Sequence, residues 1–500
     1  MTFAELRADL PLVGTKILFA TILCHNLRTM AQRNPGDHRL HRPLALRDLV
    51  LAQVLCVVGS AWVGVAAGIG RAQSVVWVVA MLLFYVPMAA SVICLNRQMP
   101  LEGGLYVWAR EGFGDLAGFL TAWNLWVYGI AVTATILYAI PTELSYLIGP
   151  AAAWLPENHL ASTLIVMAIV GAITLAALYG LELGKWIHNA GGLAMMAVFA
   201  ALILLPLWAI AEHQPIHYTP FSIAAPAINL RTLALFGQML FGALCGLEYI
   251  AILAGESRDP ARSIGQSVLW ASPVICAMFI LGTASIVALV PRSHIDFIAP
   301  IPQAMRLTLG QHGLANLAAM LAILLLQVRL IGAASYIFTG VTRLPMAAGW
   351  NHLVPAWFTR LHPKHRTPTN SILATAALVI ALVIGGSAGV HAQEAFQLLE
   401  NASLTHYEVA YLVMFALPLA GAAGMRRGLP GWLRWTSAVG FVATLFSLGI
   451  SAYPFVAVVN ARVYALKILG TILVSNLIAL AFYARRRRSA TAEEPLSEAA

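Results

Sequence analysis

The sequence predicts an all-α integral membrane protein of about twelve transmembrane helices, two of them broken near the middle. Three observations carry that prediction. The 500 residues are 60% hydrophobic and only 10% charged, with a mean hydropathy of +0.79, which is more apolar surface than a soluble core could cover. Apolar runs of roughly 20 residues, the length that crosses a bilayer as a helix, recur along the whole chain. Glycines interrupt two of these runs, at Gly59-Ser60-Ala61-Trp62-Val63-Gly64 and at Gly242-Ala243-Leu244-Cys245-Gly246.

Residues 1–45 are read as an N-terminal segment outside the membrane. Leu12 to Leu27 is apolar but short, carries Lys16 and is followed by no small-residue cleavage site, so it makes neither a signal peptide nor a span. Met30 opens a polar, basic lead; residues 1–29 are therefore either a mis-assigned start or an amphipathic element. The spans then fall at about 48–70, 75–96, 116–140, 160–181, 189–211, 232–254, 266–290, 314–342, 368–387, 393–420, 431–451 and 463–483. Residues 484–500, basic and then polar with Glu493-Glu494-Pro495, read as a disordered tail.

Charge gives the orientation. With the N-terminus inside, only Arg71, Arg231, Arg292, Arg306, Arg462 and Lys467 lie on the outer side. Arg329 lies within span 8, and every other Lys and Arg is on the inner side, so both termini are expected in the cytoplasm of an inner-membrane, multi-pass protein. The formal charge of +9 thus reflects topology rather than a nucleic-acid partner. The five cysteines have no C-x-x-C spacing and read as core thiols.

Unpaired backbone survives in a bilayer only where it lines a cavity or holds a ligand, so two glycine breaks in corresponding segments point to a transporter's central binding site. Four motifs in order strengthen this. They are Pro100-Leu101-Glu102-Gly103-Gly104-Leu105-Tyr106-Val107-Trp108 with Phe113-Gly114-Asp115; Gly246-Leu247-Glu248 continuing to Glu256-Ser257-Arg258-Asp259-Pro260-Ala261-Arg262; Thr339-Gly340-Val341-Thr342-Arg343 with Leu353-Val354-Pro355 and Thr367-Pro368; and Ala395-Phe396-Gln397-Leu398-Leu399. Over about residues 46–483 the chain resembles the amino acid-polyamine-organocation (APC) transporter superfamily.

That resemblance implies a 5+5 inverted repeat, residues 46–212 and 232–420, with helices 1 and 6 broken and spans 11 and 12 (431–483) peripheral. It also implies that the amides of Gly59, Ser60 and Ala61 meet a substrate carboxylate, and that the carbonyls of Gly242, Ala243, Leu244 and Cys245 meet its amine. Two departures stand out: Trp62 puts an indole beside the first break, and Leu247 replaces an aromatic residue in helix 6. An aromatic gate would then come from Trp62, Trp126, Tyr128 or Tyr336.

Arg329 lies too deep in span 8 to reach the interface, and such a charge is functional by default. Its helical face carries Gly332, Ala333, Tyr336, Thr339 and Gly340, small and polar, and is expected to line the central cavity. The guanidinium either binds a substrate carboxylate, replaces a coupling cation or makes a structural ion pair, with Glu408 in span 10 as the expected partner by depth. Glu400 and Glu408, set among Asn401, Ser403, Thr405, His406 and Tyr407, and Glu248 beside the second break are coupling or gating candidates. Blander readings apply elsewhere. His406 reads as a hydrogen-bonded bundle histidine, Trp123 and Trp126 as packing, and Gly64-Val65-Ala66-Ala67-Gly68 as a close-packing stripe. Gly385-Gly386-Ser387-Ala388-Gly389 reads as a turn rather than a nucleophile elbow.

The expected function is secondary transport of an amino acid or small amine by alternating access, coupled to protons or exchange. A transporter-like sensor and a sodium-coupled permease of the same fold are the alternatives. No cofactor, catalytic residue or metal site is expected. The expected partners are a small-molecule substrate and the lipid bilayer, with a homo-oligomer left open.

Overall fold

The computed structural model describes residues 46–99, 104–179, 181–216, 225–248, 260–348, 350, 356–421 and 429–497. The expectations for residues 1–45, Pro100 to Gly103, Glu256 to Asp259 and Leu353 to Pro355 lie outside the described residues.

The described chain is helical throughout. Its main elements are α1 Leu46–Val57, α2 Ser60–Ala67, α3 Gly70–Gln98, α4 Leu105–Phe113, α5 Asp115–Ile148, α6 His159–Tyr179, α7 Leu181–Ala211 and α8 Leu230–Gly237. There follow α9 Pro260–Leu289, α10 Pro300–Leu309, α11 Gly313–Ala347, α12 Thr369–Ser387, α13 Ala392–Ala420, α14 Gly431–Ile450 and α15 Ala461–Ser497. The bounds follow local chemistry. Gly114 (φ +90°) and Gly149 (φ +96°) stop the chain on either side of α5, and Gly421 (φ +59°) closes α13 in the left-handed conformation that only a residue without Cβ adopts freely. Gly385, Gly386 and Ser387 are the last turn of α12, and Gly389 turns away at φ +72°.

Among the described residues nine helices are long and apolar enough to cross a membrane, or ten if α1 and α2 count as one bent span. Two other expected spans fall outside that count for identifiable reasons. In α13, Glu394, Glu400, His406 and Glu408 dilute the apolar sequence. The sixth begins as α8 and a π-turn, Gln238–Gly242, and its continuation past Glu248 is outside the described residues. At the other end of the chain, the α15 backbone stays helical through Ser497, into the stretch read as a disordered tail.

α5 lies at the centre, with 78% of its apolar window buried, whereas α15 has 11% and runs along the periphery. α5 packs against α11 and α13, and α11 packs against α7. The α7–α11 contact is backbone on backbone: a Cβ on Gly332 would lie 3.1 Å from the Cα of Gly191 and 3.2 Å from the carbonyl of Ile187. Small residues let helices approach this closely where lipid provides no hydrophobic drive.

Gly332→Val should therefore lower stability by about 1–3 kcal/mol, the usual range for overpacking. Thermal melting in detergent checks this against Gly470→Val, where a Cβ meets nothing within 4 Å.

Candidate functional site

α1 ends at Val57 and α2 starts at Ser60, with a bend of 46° between them and Gly59 extended at φ −102°, ψ 139°. The break separates two helix ends of opposite polarity. The C-terminal end of α1 carries freed carbonyls, and the N-terminal end of α2 carries freed N–H groups. Each end is met by a side chain of matching sign. Arg329 of α11, 5% exposed, donates from Nη2 to the Val58 carbonyl at 2.6 Å. Glu143 of α5, fully buried, accepts from the Ser60 hydroxyl at 3.3 Å and, through its other oxygen, from Gln327 Nε2 at 3.1 Å. Arg329 and Glu143 lie within electrostatic reach of each other, without an ion pair at 4 Å among the described residues.

At the second glycine-marked position the helix gives way after the π-turn Gln238–Gly242, and the chain is described as far as Glu248. Gly246 takes φ +111°, and its N–H donates to the Tyr411 hydroxyl at 3.0 Å. Glu248 curls back beneath it and accepts from the hydroxyls of Tyr407 and Tyr411, one turn apart on α13. Tyr128 of α5 stacks on Tyr407 with ring centroids 3.7 Å apart. Phe241 meets both tyrosines edge-on.

The two breaks touch. A Cβ on Gly59 would lie 2.5 Å from Trp62 Cδ1, and one on Gly242 would lie 2.5 Å from Cη2 of the same indole. A Cβ on Gly246 would come within 3.3 Å of Cys56 Sγ in α1. Trp62 thus fills the gap between the breaks, and both glycines are dictated by its ring. Ala243, Leu244 and Cys245 are buried beside it, and the Cys245 thiol donates to the Gly242 carbonyl.

Other expected site residues lie elsewhere. Gly64 packs on Pro300 and the Asp296 carbonyl, consistent with a packing stripe. Trp126 joins Trp123 and Trp350 in an aromatic cluster. The small face of α11 expected to line a cavity is filled instead: Gly332 abuts Gly191, and Tyr336 meets His188 of α7 edge-on at 5.1 Å. The expected Arg329–Glu408 pair does not form. Glu408 meets Ser447 of α14, while the guanidinium reaches the first break, because a carbonyl freed by a helix break is a closer acceptor than a carboxylate on another face. Glu400 is buried toward Tyr464, with Oε2 unpartnered, and His406 Nδ1 bonds the Ala402 carbonyl.

A cavity of about 520 Å³ opens at the C-terminal end of α5, lined by Thr142, Ser145, Tyr146, Asp296 and Arg306 among others. Arg306 caps the carbonyls of Tyr146 and Leu147, and Arg292 caps that of Gly68. Sequence reasoning missed Glu143, Gln327 and Tyr411. The usable signal for Glu143 was a carboxylate only three residues beyond the apolar run ending at 140, with no basic neighbour.

A family model described as amino acid permease matches residues 49–477. The chain is 25% identical to an uncharacterized transporter of Legionella pneumophila over 373 residues, 74% of this chain and 79% of that protein. It is 25% identical to a probable agmatine/putrescine antiporter of Lactococcus lactis over 374 residues, 73% and 77% of the two chains. Its identity to a branched-chain amino acid permease of Bacillus subtilis is 22% over 363 residues, 69% and 74%.

Two outcomes check the geometry. Gly242→Ala should destabilise by about 1–3 kcal/mol through overpacking, and Trp62→Phe in the same chain should recover part of that loss; equal losses in both backgrounds would show that the indole is not the obstacle. Arg329→Met and Glu408→Gln should lower melting stability additively, within about 0.5 kcal/mol, as residues without shared partners do.

Proposed function

The chain belongs to the amino acid permease family of the APC superfamily, and we propose that it is a secondary active permease that moves its substrate by alternating access between the two broken helices. As a transporter of amino acids or amines it spans the membrane many times. The proposal adds the finer arrangement: about twelve spans, repeats at 46–212 and 232–420, peripheral helices at 431–483, an inner-membrane location and both termini in the cytoplasm. The observation that carries it is the meeting of the breaks, with Trp62 against Gly242 and Cys56 against Gly246 at the centre of the bundle.

Proton coupling or exchange is favoured over sodium. In transporters with broken helices, freed carbonyls at a half-helix C-terminus are what hold a coupling cation. Here the Val58 carbonyl takes the Arg329 guanidinium at 2.6 Å, a fixed positive charge that would repel a second cation. Both substrate classes occur among the relatives, one a probable agmatine/putrescine antiporter and another a branched-chain amino acid permease.

Purified protein in proteoliposomes should take up at least one of labelled leucine, arginine, agmatine and putrescine saturably, with rates unchanged when sodium is replaced by potassium. Uptake that requires sodium would contradict the coupling proposal. Gly246→Leu should abolish that uptake while leaving expression largely intact, because leucine cannot adopt φ +111° without strain.

A further inference from the structure

We propose that Glu143 is the coupling carboxylate of this permease: it takes the transported proton, and only in its neutral form does the second half of the broken helix accept a substrate carboxylate. This rests on the reading of the chain as a proton-coupled permease of amino acids, and it assigns the proton to a residue outside the carboxylates of α13 and the second break.

The geometry is that of a movable charge. Glu143 is fully buried and touches the first residue of α2, whose N-terminal end favours a negative group. Its two hydrogen-bond donors, Ser60 Oγ and Gln327 Nε2, are both neutral. Arg329 is engaged at 2.6 Å with the Val58 carbonyl and acts on Glu143 only from a distance, so protonating the carboxylate breaks no close ion pair. The charged groups acting on Glu143 are Arg329 from α11 and Asp296 from the loop before α10. The carboxylates of α13, which also packs on α5, are turned elsewhere: Glu394 to the Val459 amide, Glu400 toward Tyr464 and Glu408 to Ser447.

A substrate carboxylate seeking the same helix end would meet Glu143 as a like charge in a dry site, where such repulsion is poorly screened. A proton on Glu143 removes the repulsion, and the Ser60 hydroxyl is then free to donate to the newcomer. Two more buried atoms next to these bonds lack partners: the donor Arg329 Nε and the acceptor Gln327 Oε1. One donor and one acceptor complement the carboxylate and the ammonium of an amino acid. The proton enters from the cavity lined by Thr142, Ser145 and Tyr146, which flank Glu143 on the same helix, adds to a carboxylate oxygen, and leaves to the opposite side after the substrate does.

The test is binding of labelled leucine and arginine, with 3-methylbutylamine and agmatine as their decarboxylated counterparts, to the purified full chain between pH 5 and 9. In the wild type the amino acids should lose affinity by about tenfold per pH unit once Glu143 ionises, as linkage to one proton requires, and the amines should show no such loss. In Glu143→Gln the amino-acid affinity should be flat with pH. Ser60→Ala provides a second variant, and it should move the midpoint of the wild-type curve upward because a donor to the charged form is lost. An unchanged slope in Glu143→Gln, or an unmoved midpoint in Ser60→Ala, overturns the assignment and leaves the permease reading intact. Failure of all four probes to bind the wild type at any pH overturns the permease reading itself, and this inference with it.

Discussion

Everything at the centre of this molecule depends on a helix broken inside a medium that holds no water. Between Val57 and Ser60 the chain gives up its own hydrogen bonds, and each unsatisfied backbone group at membrane depth costs several kcal/mol. Arg329 bonds the freed Val58 carbonyl, and Glu143 reaches the other half through the Ser60 hydroxyl. Arg329 stands at the C-terminal end of the first half and Glu143 at the N-terminal end of the second, each of the sign that the local dipole favours. The two groups thus serve one break from its opposite ends, and each acts on the other electrostatically. This reciprocity explains why α5 and α11, which supply the two groups, pack against each other at the heart of the bundle.

The second break is stabilised differently. Gly246 turns the chain through a conformation closed to residues with a Cβ, and Glu248 folds back to the hydroxyls of Tyr407 and Tyr411. Two phenols, one of them stacked on Tyr128, hold the carboxylate among the described residues. The first break is thus governed by charge and the second by hydrogen-bonded aromatics. Trp62 joins them, so a movement of either half-helix must move the indole or be resisted by it. That coupling is what a pair of hinges requires if the two are to swing together.

Much of this was legible in the sequence, and the limits follow from what a sequence contains. Apolar run lengths placed the helices, and Gly59 and Gly246 marked the breaks, because glycine at such positions answers a backbone requirement that can be read locally. The depth of Arg329 marked it as special for a similar reason. Its partner was not legible: choosing Glu408 by depth and sign presumes that a buried cation seeks a carboxylate, whereas the acceptor was the Val58 carbonyl, which no side-chain pattern reveals. Glu143 escaped notice because it lies just past the apolar run, where a carboxylate reads as interfacial; α5 runs on to Ile148, and Ser60 of α2 and Gln327 of α11 meet the buried side chain only once the bundle has formed. The small face of α11 was recognised, but small residues serve close packing as readily as a cavity, and Gly191 on α7 decides between them.

The most direct test of the account is a double-mutant cycle on the melting stability of the purified protein with Arg329→Met, Glu143→Gln and both together. If the two groups stabilise opposite ends of one break and act on each other, the losses will be coupled by at least about 0.5 kcal/mol, with the double variant less damaged than the sum of the singles. Losses that add within about 0.3 kcal/mol would mean that the two residues serve independent structures, and the charge-held break would have to be abandoned.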